Sequence, residues 1–154
     1  MSKYRFPLVP RRKRLQLDGK KIAGTHLPRG FQLPQEFVRR CTVWMRRELP
    51  LDSTWKAWVA VDGGEIVGQI WVHTIPKIPN PIAELEKLAY VSNLYVKVSA
   101  RGGTGTRLLQ SALEWCRANQ IDRVVLWPTK RSVTLYLGHG FSHGGDVMEL
   151  KIRS

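Results

Sequence analysis

Arg101-Gly-Gly-Thr-Gly-Thr106 lies between an extended run, Tyr90-Val-Ser-Asn-Leu-Tyr-Val96, and an amphipathic segment that opens near Arg107. A chain that leaves a strand, turns on three glycines and two threonines and enters a helix is an α/β structure at that point. The geometry suits phosphates. Small residues let the backbone come close to a pyrophosphate, its N–H groups converge, and the positive end of the helix dipole favours the charge. Gly and Thr between a strand and a helix also make an ordinary turn with an N-cap, so the loop alone leaves both readings open.

Around this point the elements follow from periodicity. Pro34 at a helix start, with Phe37, Cys41, Trp44 and Met45 at helical spacing, predicts a helix to about Leu49. Trp55 to Val61 and Ile66 to His73 flank Asp62-Gly-Gly-Glu65 and predict a hairpin. Ile75 to Pro81 holds three prolines and is expected to be loop. Glu84 to Leu88 leads into the next main strand. The segment Arg107 to Asn119 carries Leu108, Leu109, Ala112, Leu113 and Cys116 on one face and predicts a helix. A short strand Arg123 to Trp127, a Pro128-Thr129 break and a second short helix follow, and Phe141 to Ile152 is expected to form a closing hairpin. A weakly signalled strand near Arg14 to Leu17 precedes them all. No repeated βαβ unit appears, nor an acidic residue after a second strand, which excludes a doubly wound dinucleotide fold.

The stretch from Leu94-Tyr95-Val96 through Arg101 to Thr106 and on to Leu135-Tyr136 and Gly140-Phe141 resembles the GCN5-related N-acetyltransferase (GNAT) family. There a fourth strand ends in a Tyr-Val-like pair, an Arg/Gln-x-x-Gly-x-Gly/Ala loop cradles the coenzyme A pyrophosphate, and Leu-Tyr-x-x-x-Gly-Phe closes the site. The match is close over about residues 89 to 141. The resemblance implies a mixed, mostly antiparallel sheet splayed between strands 4 and 5, with flanking helices. It implies an acetyl-CoA-dependent N-acetyltransferase in which an amine attacks the thioester directly in a ternary complex. Coenzyme contacts would fall on Leu94, Tyr95, Val96, Arg101, Gly102, Gly103, Thr104, Gly105, Thr106, Arg107, Thr129 and Arg131. Two departures stand out: the glycine loop is one residue short, and Thr129 stands where many members have Asn.

Such chemistry needs a deprotonated amine, donors for the developing oxyanion and a proton for the leaving thiolate. Tyr136 is the candidate acid. For the base, Asn93, two residues before Tyr95 and so expected on the same face of the strand, would hold a relay water; Glu84, Glu86 and His73 are the other candidates, although surface Glu and structural His are the commoner fates of these residues. Trp44, Trp55, Trp58 and Trp71 line either an acceptor cleft or the core.

Charge carries a second signal. Residues 1–47 hold thirteen Lys and Arg against Asp18 and Glu36, so most of the net charge of +13 lies in the first third. Residues 1–33 are therefore read as a basic arm and 34–154 as the acetyltransferase domain. An acidic partner is expected, whether nucleic acid, ribosome-bound protein or aminoacyl-tRNA, unless the arm merely solubilises. The alternative to an enzyme is a non-catalytic module of the same fold that binds nucleic acid or ribosome. Cys41 and Cys116 lack Cys-x-x-Cys spacing and are expected to be free thiols; no metal site is expected. The absence of an apolar run of roughly 18 residues leads to an expected cytoplasmic location. A homodimer through terminal strands is an open expectation from the resemblance.

Overall fold

The computed structural model describes residues 32, 34–50, 53–79, 81 and 87–143. The basic arm apart from Gln32, its expected strand, Glu84, Glu86 and the closing hairpin beyond His143 lie outside the described residues. Helix α1 (Gln35–Glu48) starts at Pro34, with Glu36 in its first turn and Arg46 and Arg47 in its last, a charge order that suits the helix dipole. It leads through Ser53, whose hydroxyl donates to the Glu48 carbonyl and accepts the Trp55 N–H at 2.9 Å. Strands β1 (Trp55–Asp62) and β2 (Glu65–Pro76) follow, joined by Gly63 and Gly64 at φ 55° and 80°. Positive φ at both central residues is what a tight hairpin turn with the native strand twist demands.

Strand β3 (Lys87–Val96) pairs antiparallel with β2, and β4 (Arg123–Val125) pairs parallel with β3, giving the order β1-β2-β3-β4. This is the expected mixed α/β sheet; β3 and β4 are the fourth and fifth strands of the sequence reading. Between them run a single 3-10 turn (Val98–Ala100) and helix α2 (Thr104–Ala118), and after β4 comes α3 (Val133–Leu137). Among the described residues, no helix is long and apolar enough to cross a membrane.

Two expectations are corrected. β2 does not stop at His73 but continues through Ile75 and Pro76, paired with Leu88 and Lys87. The Thr74 N–H points toward β1, donating to Thr54 at 2.7 Å. Pro76, two residues on, turns its missing N–H to the same side, beyond the start of β1, so no ladder bond is lost. Helix α2 begins at Thr104, three residues before the expected Arg107. Thr and Gly have low helix propensity, which hides a first turn that the left-handed Gly103 makes possible.

α2 packs on one sheet face. Leu108, Leu109, Ala112, Leu113 and Cys116 meet Ile70 and Val72 of β2, Ala89 and Val91 of β3, and Tyr136 of α3. Ile70, Val72 and Leu109 are fully buried, each contributing about 2 kcal/mol relative to exposure. On the other face, Trp44 of α1 packs edge-on against Trp55, ring centroids 5.3 Å apart, and lies 5.8 Å from Trp71. Trp58 turns the opposite way, to Trp115 of α2.

α2 ends in a Schellman motif. The Ile121 N–H reaches the Cys116 carbonyl at 3.0 Å and the Gln120 N–H reaches Arg117 at 3.2 Å, with Gln120 left-handed at φ 56°. Glycine is the residue that adopts this conformation without a Cβ penalty. Gln120→Gly is therefore expected to raise the free energy of unfolding by about 0.5 kcal/mol, read from the urea midpoint.

Cys116 is 2% exposed, and burial pushes its thiol up to about 11 from 9.0. The fold favours the neutral thiol, so its contribution is fully present below pH 9 and is lost as pH rises toward 11. Alkylation of the native protein at pH ~8 is expected to stop at one thiol, the half-buried Cys41, and to reach both after denaturation, counted by mass.

Candidate active site

The site begins with a fault in β3. Gln69 pairs with Tyr95 but Trp71 pairs with Ser92, so Asn93 and Leu94 together oppose Ile70. This is a β-bulge, and Asn93 takes φ 51°, a left-handed conformation that Asn tolerates better than most residues. A bulge bends its strand and takes main-chain groups out of the ladder. It also breaks the alternation of side chains, so the argument that Asn93 shares a face with Tyr95 does not hold. Asn93 is exposed and Tyr95 is half-buried.

On its other edge β3 loses its neighbour. β4 pairs with it only at Leu88–Arg123, Ala89–Val124 and Tyr90–Val125, after which the strands diverge. The splay expected between these strands is present, and β3 from Val91 onward, bulge included, runs along it. Leu94, Tyr95 and Val96 therefore lie at the open part of the V.

The glycine turn lies at the open end, beyond Val96. Gly102 and Gly103 have φ 109° and 106°, and a Cβ at either would touch nothing within 4 Å. Glycine is needed there for backbone conformation, not for space. The first α2 bond runs from the Arg107 N–H to the Gly103 carbonyl at 3.0 Å. Thr104, Gly105 and Thr106 thus form the first turn, and their N–H groups have no intrahelical acceptor. No side chain caps this end, and the first turn holds no acid. Arg107 instead folds back, its Nη2 3.3 Å from Thr104 Oγ1, while Arg101 stands exposed just before the turn.

Close packing ties this turn to the splay. A Cβ at Gly105 would lie 3.7 Å from Val96 Cγ2 and 3.9 Å from Leu135 Cδ2, so the α2 start, the β3 end and α3 meet here. Gly68 sits deeper. Its Cβ would lie 3.0 Å from Leu108 Cδ1, 3.1 Å from the Tyr95 carbonyl and 3.3 Å from Val96 Cγ2. The sequence reading did not single out Gly68; its signal is a lone glycine inside the apolar strand Ile66-Val-Gly-Gln-Ile70, a pattern that marks close backbone approach.

Tyr136 of α3 is buried, 8% exposed, and burial raises its phenol above the ordinary tyrosine value of 10.0. It packs edge-on against Phe141, centroids 5.5 Å apart. α3 ends as α2 does: Phe141 N–H to the Tyr136 carbonyl at 3.2 Å, Gly140 N–H to Leu137 at 3.1 Å, and Gly140 left-handed at φ 84°. Tyr136, Gly140 and Phe141 are the three positions that a Schellman motif and its apolar contact require.

The remaining candidates are placed apart. Thr129 and Ser132 form a closed turn. The Thr129 N–H meets Ser132 Oγ at 2.9 Å, and their hydroxyls lie 3.0 Å apart, so Ser132, missed in the sequence, organises the entry to α3. Arg131 is exposed in this turn. His73 is stacked on Trp55 at 4.4 Å on the α1 face of the sheet. Glu86 lies outside the described residues. Among them, no group of three His, Cys, Asp or Glu side chains is placed to hold a metal.

Gly68→Ala must displace the Tyr95 carbonyl or Leu108. It is expected to lower unfolding stability by about 1–3 kcal/mol, seen as a lower urea midpoint.

Solved structures share this architecture. A predicted acetyltransferase from Clostridium acetobutylicum, crystallised with acetyl-CoA, is 18% identical with a TM-score of 0.62, covering 82% of this chain and 79% of its own. A GCN5-related N-acetyltransferase from Ralstonia eutropha is 25% identical, TM-score 0.61, covering 76% and 75%. Glucosamine-6-phosphate N-acetyltransferase from Arabidopsis thaliana is 17% identical, TM-score 0.61, covering 77% and 78%. No curated protein matches the sequence. The model of the acetyltransferase (GNAT) family matches residues 29–141, the span that holds the bulge, the splay, the glycine turn and α3, and the chain belongs to that family.

Proposed function

We propose that this protein transfers an acetyl group from acetyl-CoA to an amine, with the coenzyme pyrophosphate at the Gly102–Thr106 turn and the thioester in the splay beside Leu94 to Val96. The observation that carries this reading is electrostatic. Three helix N–H groups without intrahelical acceptors, no acid in the first turn, and Arg107 folded onto that turn put positive charge against the positive end of a dipole. A cation there is unfavourable by about 0.3–1 kcal/mol in isolation and favourable once a diphosphate sits between them. The residues fit the group, and the acetyl-CoA complex of the Clostridium acetobutylicum neighbour supports the same co-substrate.

Acetyl-CoA supplies an activated acyl group, so the chain has mainly to orient it and hold charge. Main-chain N–H groups at the bulge stabilise the oxygen as the amine nitrogen bonds to the acetyl carbon and the carbon–sulfur bond breaks. The sulfur leaves as thiolate and takes a proton from the Tyr136 hydroxyl; the proton lost by the amine passes to solvent and restores the phenol. Burial suits Tyr136 to this role, because a phenol raised above 10.0 keeps its proton across the neutral range. The Asn93, Glu86 and Arg101 roles and the contacts at Thr129 and Arg131 remain part of this proposal, with the Thr129 hydroxyl already shared with Ser132.

Calorimetric titration with acetyl-CoA is expected to show one site per chain; no binding at millimolar ligand overturns the reading. Tyr136→Phe is expected to lower kcat by about 10²-fold with coenzyme affinity unchanged, and the alkaline limb of wild-type activity is expected to fall only above pH ~10. Unchanged turnover in the variant would remove Tyr136 as the acid.

A further inference from the structure

α3 is a single short helix, Val133–Leu137, and it carries Tyr136. A helix of that length does not hold itself, since isolated helices need about 12–15 residues to persist in water. Its place is therefore set from outside. Packing sets the way it faces: Leu135 lies over Gly105 at the start of α2, and Tyr136 meets Phe141. The two ends set its height along its own axis. Gly140 and Phe141 fix the far end through their N–H bonds to Leu137 and Tyr136. Ser132 fixes the near end.

Ser132 occupies the N-cap position, a favoured place for serine, yet its hydroxyl makes no capping bond to the helix. It turns back to Thr129 instead. Ser132 Oγ accepts the Thr129 N–H at 2.9 Å, donates to the Thr129 carbonyl at 3.0 Å and lies 3.0 Å from Thr129 Oγ1. A hydroxyl has one proton and two acceptor positions. With its proton on the carbonyl, Ser132 Oγ is the acceptor in the third contact, so Thr129 Oγ1 donates there and the serine hydroxyl is saturated. The Thr129 hydroxyl then has no proton for a ligand, which gives the pair the work of fastening the turn.

The Ser132 main chain continues this link. Its N–H meets the Thr129 carbonyl at 2.9 Å, and its own carbonyl accepts the Tyr136 N–H at 3.2 Å, the bond that closes the one turn of α3. Ser132 thus grips the segment leaving β4 on one side and the backbone of Tyr136 on the other. Pro128 to Arg131 are exposed, so packing does little to hold that segment. The phenol oxygen stands at the end of a rigid side chain, and a backbone tilt moves it more than it moves the helix. A displacement of about 1 Å can cost 10²-fold in rate.

Resting on the acetyl-transfer reading, we propose that Ser132 is a positioning residue for that reaction: by fastening the Thr129 turn, its hydroxyl holds the Tyr136 phenol where the leaving sulfur takes its proton. A residue that acts only through Tyr136 costs no more than loss of the phenol. Ser132→Ala is therefore expected to lower kcat between ~10- and ~10²-fold, with affinity for acetyl-CoA within about threefold of wild type because the glycine turn is untouched.

The experiment uses the full chain and hydroxylamine, a small amine that is neutral at pH ~7 and attacks without a base, so departure of the thiolate is read directly. Thiol release at saturating acetyl-CoA, less the enzyme-free rate, is followed in wild type, Ser132→Ala, Ser132→Thr, Tyr136→Phe and the double variant Ser132→Ala with Tyr136→Phe. Calorimetry gives the coenzyme affinity of each. Ser132→Thr keeps the hydroxyl and is expected to retain at least about a third of wild-type kcat. In the Tyr136→Phe background, Ser132→Ala is expected to change kcat by less than about twofold, because the two residues act as one unit.

Unchanged kcat in Ser132→Ala, an equal loss in both backgrounds, an equal loss in Ser132→Thr, or loss of coenzyme binding together with kcat each overturns the positioning role while wild-type turnover leaves acetyl transfer intact. Unchanged turnover in Tyr136→Phe removes the residue through which Ser132 acts, and overturns it too. A wild-type chain that binds no acetyl-CoA, or releases no thiol above the enzyme-free rate, overturns the acetyl-transfer reading and this role with it.

Discussion

The contact on which the site depends is the one between Gly68 and its neighbours. Where β2 carries hydrogen in place of a side chain, Leu108 of α2 and the Tyr95 carbonyl of β3 both press in. That approach places the start of α2 against the end of β3, and Gly105 extends it to Val96 and Leu135. The glycine turn is thereby delivered to the open end of the splay. The large side chains of the core, Leu109 on Ile70 and Val72, supply the stability. The small residues supply the geometry.

Much of this was legible in the sequence, for identifiable reasons. Leu108, Leu109, Ala112, Leu113 and Cys116 recur at helical spacing, and each is buried. Asp62-Gly-Gly-Glu65 encodes a turn that only positive φ allows, and it forms. The start of α2 was hidden because Thr-Gly-Thr has no helix propensity to reveal and its turn is fixed by a glycine before it. Pro76 misled because a proline is harmful to a sheet only where a neighbour awaits its N–H. The bulge at Asn93 was illegible for a deeper reason: an extra residue shows only against the partner strand, and Ser92-Asn-Leu-Tyr95 reads as regular alternation by itself. By that alternation Asn93 and Tyr95 share a face, and the bulge separates them.

Electrostatics divide the molecule into two anion-seeking regions with different construction. At the glycine turn the positive potential comes from backbone dipoles, with Arg107 as reinforcement, and is confined to one helix turn. On α1 it comes from side chains on a flank whose sequence continues the basic first third of the chain. The first kind is short-ranged and shape-specific; the second acts over a Debye length and fades with salt.

Tyr136, Gly140 and Phe141 show how a family signature can be held by two unrelated requirements. The spacing Leu-Tyr-x-x-x-Gly-Phe matches a reaction's need for a phenol, but it also spells the end of a helix: a carbonyl at Tyr136, a left-handed glycine, and an aromatic that folds back. A descendant that abandoned catalysis would still unravel α3 if it lost this pattern. Drift would therefore erase the chemistry before the motif, and the motif is a record of descent more than of turnover.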